Sequence, residues 1–242
     1  MYNMLTICSL YYKPKPTNIK GTFLREECSS IFCTKAGFNN SFEWHTEKEA
    51  IEEYGDIITE RAVLIQSKEN YNQLAKDMPK YFTTNTPSFG ENIIVKGLKN
   101  SEICVGDLFK IEGDHSTLLL EVSSPRKPCY KIDKKHKCPY GLKGIKRHSL
   151  TNGLSGWFCR VIEEGIITET DVLIRIRQPY PKWPITRICM TLYGKGDYKI
   201  MNACKPNWSD SKESLKELIN IPALAYCEWK EELEELNNKY NQ

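Results

Sequence analysis

Between residues 87 and 177 the apolar residues come only in short runs, each closed by glycine, proline, asparagine or aspartate. Ile93-Ile-Val95, Leu118-Leu-Leu-Glu-Val122 and Gly156-Trp-Phe-Cys-Arg-Val-Ile162 are too short for buried helices and read as strands. Ile103-Cys-Val105 and Leu108-Phe-Lys-Ile111 are expected to be two strands joined by a tight hairpin turn at Gly106-Asp107. Val172-Leu-Ile-Arg-Ile-Arg177 alternates apolar with basic, as a half-buried strand does. Many short strands with turns between them bury their faces best by closing on themselves. The chain is therefore predicted to be mainly β, a β-barrel with added helices (α+β).

The flanks differ. Residues 2 to 12 fit a first strand, ended by Pro14 and Pro16, and Thr22-Phe-Leu24 and Ile31-Phe-Cys33 fit short strands. Glu47 to Tyr54 reads as an exposed helix and Arg61 to Gln66 as a strand. Ser67 then caps a helix through Met78, with Tyr71, Leu74 and Ala75 on its apolar side. After Gln178-Pro-Tyr-Pro181 the period becomes helical. A helix is expected from Pro184 to Tyr193, a second behind the capping box Asp210-Ser-Lys-Glu213, and a third opened by Pro222 with a stripe of Trp229, Leu233, Leu236 and Tyr240. These readings divide the chain into a barrel domain over 1–180, with its motif-bearing core at 87–177, and a three-helix subdomain over 181–242, whose stripe is a packing face.

The chemistry concentrates in Pro125-Arg-Lys-Pro-Cys-Tyr-Lys131. Two prolines fix φ and remove backbone donors, so Cys129 is held with little freedom. Arg126, Lys127 and Lys131 flank it, and a positive field favours the thiolate, the form that binds metals and attacks electrophiles. The formal net charge is only +3, yet Arg126 to Arg147 carries nine of the basic residues against a single acid, Asp133. Residues 133 to 154 are polar, basic and glycine-bearing, which suits a mobile loop over a site. The ten cysteines include no CxxC pair and no dense framework, so reduced thiols in the cytoplasm are expected. The N-terminal residues lack a basic n-region and a cleavage site, and no run is long enough to span a bilayer.

Phe89-Gly-Glu-Asn92, Val105-Gly-Asp107, Leu120-Glu-Val-Ser-Ser-Pro-Arg-Lys-Pro-Cys-Tyr-Lys131, Gly156-Trp-Phe-Cys-Arg160 and Glu164-Gly165 follow one another in the order seen in MOSC domains. From about Arg61 onward the chain resembles that family, and most closely its bacterial YiiM-like branch. The resemblance implies a barrel that binds a molybdenum cofactor (molybdopterin), with Cys129 as the metal ligand, followed by a helical appendage. Where the family carries His-Gly-Gly, this chain has Tyr54-Gly-Asp56.

Such a cofactor needs one soft thiolate, cations for its phosphate, and amide or carboxylate groups for its pterin edge. Cys129 offers the sulfur. Arg126 and Arg160 offer bidentate contacts and Lys131 a point charge. Gly90 allows close backbone approach, Asn92 and Glu91 suit the pterin, and Trp157 offers a face for stacking. The implied reaction is a detoxifying two-electron reduction of N-hydroxylated substrates such as hydroxylaminopurine bases, with Glu91 or a residue of the basic loop as proton donor. No iron–sulfur, flavin or dinucleotide motif occurs, so a separate flavin or iron–sulfur reductase is expected as electron donor. Two other readings compete with this one. Cys129, His136, Cys138 and His148 offer zinc-type ligands, although at spacings that match no usual site. The basic stretch 125–148 would also serve a non-catalytic cofactor or sulfur carrier or an anion-binding module. Its use for nucleic acid is disfavoured by sparse aromatics, Tyr130 and Tyr140.

Overall fold

The computed structural model describes residues 4–14, 25–38, 56–83, 87–113, 117–139, 141–193 and 212–240. The expected strand at Thr22 to Leu24, the helix at Glu47 to Tyr54 and the start of the capping box at Asp210 lie outside them.

Strand β1 (Met4–Tyr12) organises the sheet. Its first residues pair with β11 (Val172–Arg177), its middle with β6 (Ile93–Lys96) and its end with β2 (Glu26–Cys28), all antiparallel. A bulge between Ile7 and Ser9 inserts one residue and flips the facing parity, so that Leu5, Ile7 and then Leu10 all point inward. With β5 (Val63–Ser67), β7 (Leu108–Glu112), β8 (Leu119–Pro125) and β9 (Trp157–Glu163), the order β11-β7-β8-β9-β5-β6-β1 closes through β1–β11 into a seven-stranded barrel. The expected β-barrel with added helices is what the chain forms. Closure leaves the barrel itself no exposed edge. A small outer sheet, β10-β3-β4, is built from β3 (Ser30–Thr34), β4 (Gly37–Phe38) and β10 (Gly165–Thr168).

Side chains of every barrel strand fill the interior, among them Ile65, Val95, Phe109, Val122, Trp157 and Leu173, so the barrel is a packed core and not a pore. The one parallel pair among the described strands, β5–β6, is connected through α2 (Lys68–Asp77), which follows the short α1 (Asp56–Glu60) and β5. As expected, Ser67 caps α2, accepting from the Asn70 N–H at 3.2 Å. Helix α2 puts Tyr71 and Leu74 into a second apolar layer outside the barrel, with Phe82, Phe89, Ile132 and Ile145.

Four local expectations are corrected. Ile103 to Val105 forms no strand, only a bridge between Cys104 and Pro184. Asp107 accepts from the Cys104 N–H at 3.0 Å and pairs with Arg175, so Gly106-Asp107 closes a side-chain-capped turn instead of a hairpin. The basic stretch is no mobile loop. It folds into α3 (Lys131–Lys135), a 3₁₀ turn at Gly141–Lys143 and α4 (Ile145–Thr151), because Ile132, Ile145 and Leu150 are buried at its core-facing positions. Pro222 lies in a turn, and a π-helical turn at Tyr226–Lys230 precedes α7 (Glu231–Tyr240).

Helices α5 (Ile185–Tyr193), α6 (Lys212–Ile219) and α7 share a third core of Trp183, Ile188, Leu215, Leu218, Trp229 and Leu233, joined by Val105 and Leu150 from the barrel side. Among the described residues no helix is long and apolar enough to cross a membrane.

Candidate functional site

Strand β8 does not end at its serines. It pairs with β9 as far as Pro125 opposite Trp157, and the Arg126 N–H then donates to the Gly156 carbonyl at 3.0 Å. Ser155 Oγ donates to the Arg126 carbonyl at 2.6 Å. The strap that follows, Arg126 to Cys129, is thus anchored at its base and ends where the Cys129 carbonyl accepts from the Ile132 N–H at 3.2 Å, at the start of α3.

Burial sorts the thiols. It pushes Cys33, Cys159 and Cys189 far up and Cys104 to about 12, which keeps them protonated. Of the eight free cysteines described, Cys129 is the exposed one.

Arg126 goes the other way. Its residue is 9% exposed, and its Nε and Nη1 are buried without a hydrogen-bond partner among the described residues. Its guanidinium carbon lies 5.7 Å from the Phe89 ring centroid. Burial lowers its pKa to about 10, while the neighbouring Cys129 and Glu91 oppose that shift and Arg61 adds to it.

Glu91 is fully buried and held by its own turn. Tyr71 Oη donates to Oε1, the Ser88 N–H reaches the same oxygen at 3.2 Å, and the Phe89 N–H reaches Oε2 at 2.8 Å. Burial, with the Glu91 charge beside it, raises the Tyr71 phenol well above its ordinary range. Gly90 takes φ +81°, and its carbonyl accepts from Arg25 Nη2 at 2.5 Å. Lys135 donates to the Pro87 carbonyl on the same turn. Its pKa is lowered by burial and by Arg25, and raised by Glu91. His136 stacks on Phe82 at 5.0 Å, and burial followed by the Lys135 charge lowers its pKa.

The structure thus gathers Cys129, Arg126, Glu91 and Gly90 with Arg25, Arg61, Lys135, Tyr71 and His136. Lys131 is half-buried in the first turn of α3. The other expected site residues are engaged elsewhere. Asn92 bonds Leu64 in both directions, its Oδ1 accepting from the Leu64 N–H at 2.9 Å and its N–H donating to the Leu64 carbonyl at 2.8 Å. Arg160 is turned away, pairing with Glu60 at 3.0 Å and donating to the Ala223 carbonyl at 2.5 Å. Trp157 lies fully buried in the barrel core and offers no open face. The zinc-type set does not converge, since His148 pairs with Asp77 at 3.0 Å and the Cys138 thiol donates to the Lys143 carbonyl. Among the described residues no three His, Cys, Asp or Glu side chains are placed to hold a metal ion.

A family model described as the MOSC domain matches residues 41–174. A protein named Reductase from Gibberella moniliformis (strain M3125 / FGSC 7600) is 33% identical over 131 residues, covering 54% of this chain and 22% of that one. Protein YiiM of Escherichia coli (strain K12) is 30% identical over 110 residues, covering 45% of this chain and 46% of that one. The matched region thus spans less than half the length of these relatives. Among crystal structures, YiiM from Geobacillus stearothermophilus superposes with a TM-score of 0.67 at 22% identity, covering 96% of this chain and 98% of that one. YiiM from Escherichia coli gives 0.66 at 18% identity, covering 99% and 93%.

Proposed function

Because the chain belongs to the MOSC domain family, in its YiiM-like branch, and that family is associated with molybdenum cofactor binding, we propose that it holds the cofactor through Cys129 and Arg126 and reduces small N-hydroxylated substrates such as hydroxylaminopurine bases. The observation that carries this reading is the buried Arg126 guanidinium with two unpartnered nitrogens. A charge taken out of water without hydrogen bonds is costly, and an arriving anion removes that cost. The cofactor's phosphate is such an anion, and the exposed sulfur of Cys129 suits its metal. The residues therefore fit the group.

When bound, the cofactor supplies a two-electron redox centre. The chain supplies the rest. Arg126, with Arg25 and Lys135 near Glu91, would hold the anionic tail. Glu91, with three donors on its oxygens, fixes the turn that presents Phe89 to Arg126, and is assigned here as a holder and not as the proton donor. Lys131, two residues past the sulfur, is assigned to proton delivery. The overall change is R–NHOH with two electrons and two protons to R–NH₂ and water, the electrons coming from a separate flavin or iron–sulfur reductase. The name Reductase on one relative supports an oxidoreductase role.

The test is elemental analysis of protein made in a cofactor-competent host. About one molybdenum per chain is expected for the native protein and almost none for Cys129→Ala. The loaded native protein should convert a hydroxylaminopurine to the amine with a chemical reductant. Molybdenum absent from both proteins would overturn the reading in favour of an anion-binding carrier.

A further inference from the structure

Arg126 and Lys127, although adjacent, reach different partners. Arg126 turns inward toward Glu91, whereas Lys127 pairs with Glu232 of α7. The Lys127 ammonium lies 5.4 Å from the Tyr193 ring centroid, and Tyr193 donates its hydroxyl to the second oxygen of Glu232. Behind them the Tyr193 ring meets Trp229 edge-on at 5.9 Å, and Trp229 is only 1% exposed. The Glu232 carboxylate is therefore held against a rigid wall.

The strap is held at its two ends and by the buried side chains of Arg126 and Pro128, while Cys129 itself is exposed. Pro128 supplies no backbone donor, and the anchors at Arg126 and Ile132 lie on either side of the sulfur. Lys127 ties the strap to the C-terminal helices through Glu232 and the Tyr193 ring. Its ion pair, with side chains 27% and 34% exposed, adds little to overall stability. Its effect is local.

We propose that Glu232, acting through Lys127 and with Tyr193, is a positioning residue for Cys129, so that the C-terminal helices set the placement and reactivity of the thiol. Its functional weight rests on Cys129 being the working sulfur, but the placement itself is measurable without cofactor. The experiment is alkylation of cofactor-free protein with iodoacetamide across pH, read at Cys129 by peptide mass mapping. Glu232→Gln and Lys127→Glu should change the Cys129 rate by about threefold or more, and Tyr193→Phe by less. The double variant Lys127→Glu/Glu232→Lys should return both rate and pH profile to native, with thermal midpoints little moved throughout. Unchanged rates in the single variants, or a double variant showing only the sum of their effects, would overturn the proposal. Molybdenum loading of Cys129→Ala bears only on the cofactor reading, so the two failures are separable.

Discussion

Arg126 is a cation removed from water with two of its nitrogens left unpaired, and the fold gains little from it. Its attraction to Glu91 and to the Phe89 ring offsets part of the burial, but Glu91 is already satisfied by Tyr71, Ser88 and Phe89. Replacing a poorly paired buried charge by a hydrophobe of similar length is neutral or stabilising by about 0–2 kcal/mol. Arg126→Met should therefore leave the urea midpoint unchanged or raised while molybdenum loading is lost, a separation that a structural arginine would not show. At this scale the sequence shows which proposed site residues are neighbours where they are contiguous, Arg126 with Cys129 and Gly90 with Glu91. The approach of Arg25, Arg61, Tyr71, Lys135 and His136 to them was not legible. Each sits on a different segment, and only the closed barrel brings their charges and rings together. The partners of Arg160 were hidden for the matching reason. Its place on β9 fits a phosphate ligand, but its actual partners, Glu60 and the Ala223 carbonyl, are far away along the chain.

Elements with strong local signals formed as expected, such as β9, whose apolar run leaves little choice, and α2, whose Ser67 cap is visible in the sequence. The misses came where the local signal was real but its partner was distant. Gly106-Asp107 has hairpin chemistry, yet Arg175 and the Cys104 N–H claim the carboxylate. Basic residues around α3 and α4 masked the few apolar positions that pack beneath them. One element boundary depends on a single residue. Gly156 opens β9 at φ +86°, its carbonyl receives the Arg126 N–H, and a Cβ there would sit 2.5 Å from the Ile65 carbonyl oxygen on β5. Gly156→Ala combines strained φ with a backbone clash, so a loss of about 2–4 kcal/mol is expected in urea denaturation. Because the shift falls on the strap's anchor, Cys129 alkylation in this variant should also change.

At the scale of the molecule the barrel and the C-terminal helices share residues. Val105, from the turn before β7, and Leu150, from α4, belong to the same core as Trp183, Leu218 and Trp229. The Ala225 N–H donates to the Ser123 carbonyl at 2.9 Å, and the Tyr226 N–H to Glu60 at 3.1 Å, so backbone contacts cross as well. Neither these contacts nor the β1–β11 closure could be read in advance, since both join segments far apart in sequence and leave no periodic trace. They bear on how the chain unfolds. Trp229→Ala removes a fully packed indole, which costs about 3–5 kcal/mol where neighbours cannot collapse into the space. If the shared core makes one cooperative unit, far-UV circular dichroism and tryptophan fluorescence should report a single transition at a lower midpoint. Were the helices an independent unit, they would melt early and leave the barrel's midpoint where it was. The shared core would then be a mere contact, and the C-terminal helices too loosely attached to hold Lys127 beside the thiol.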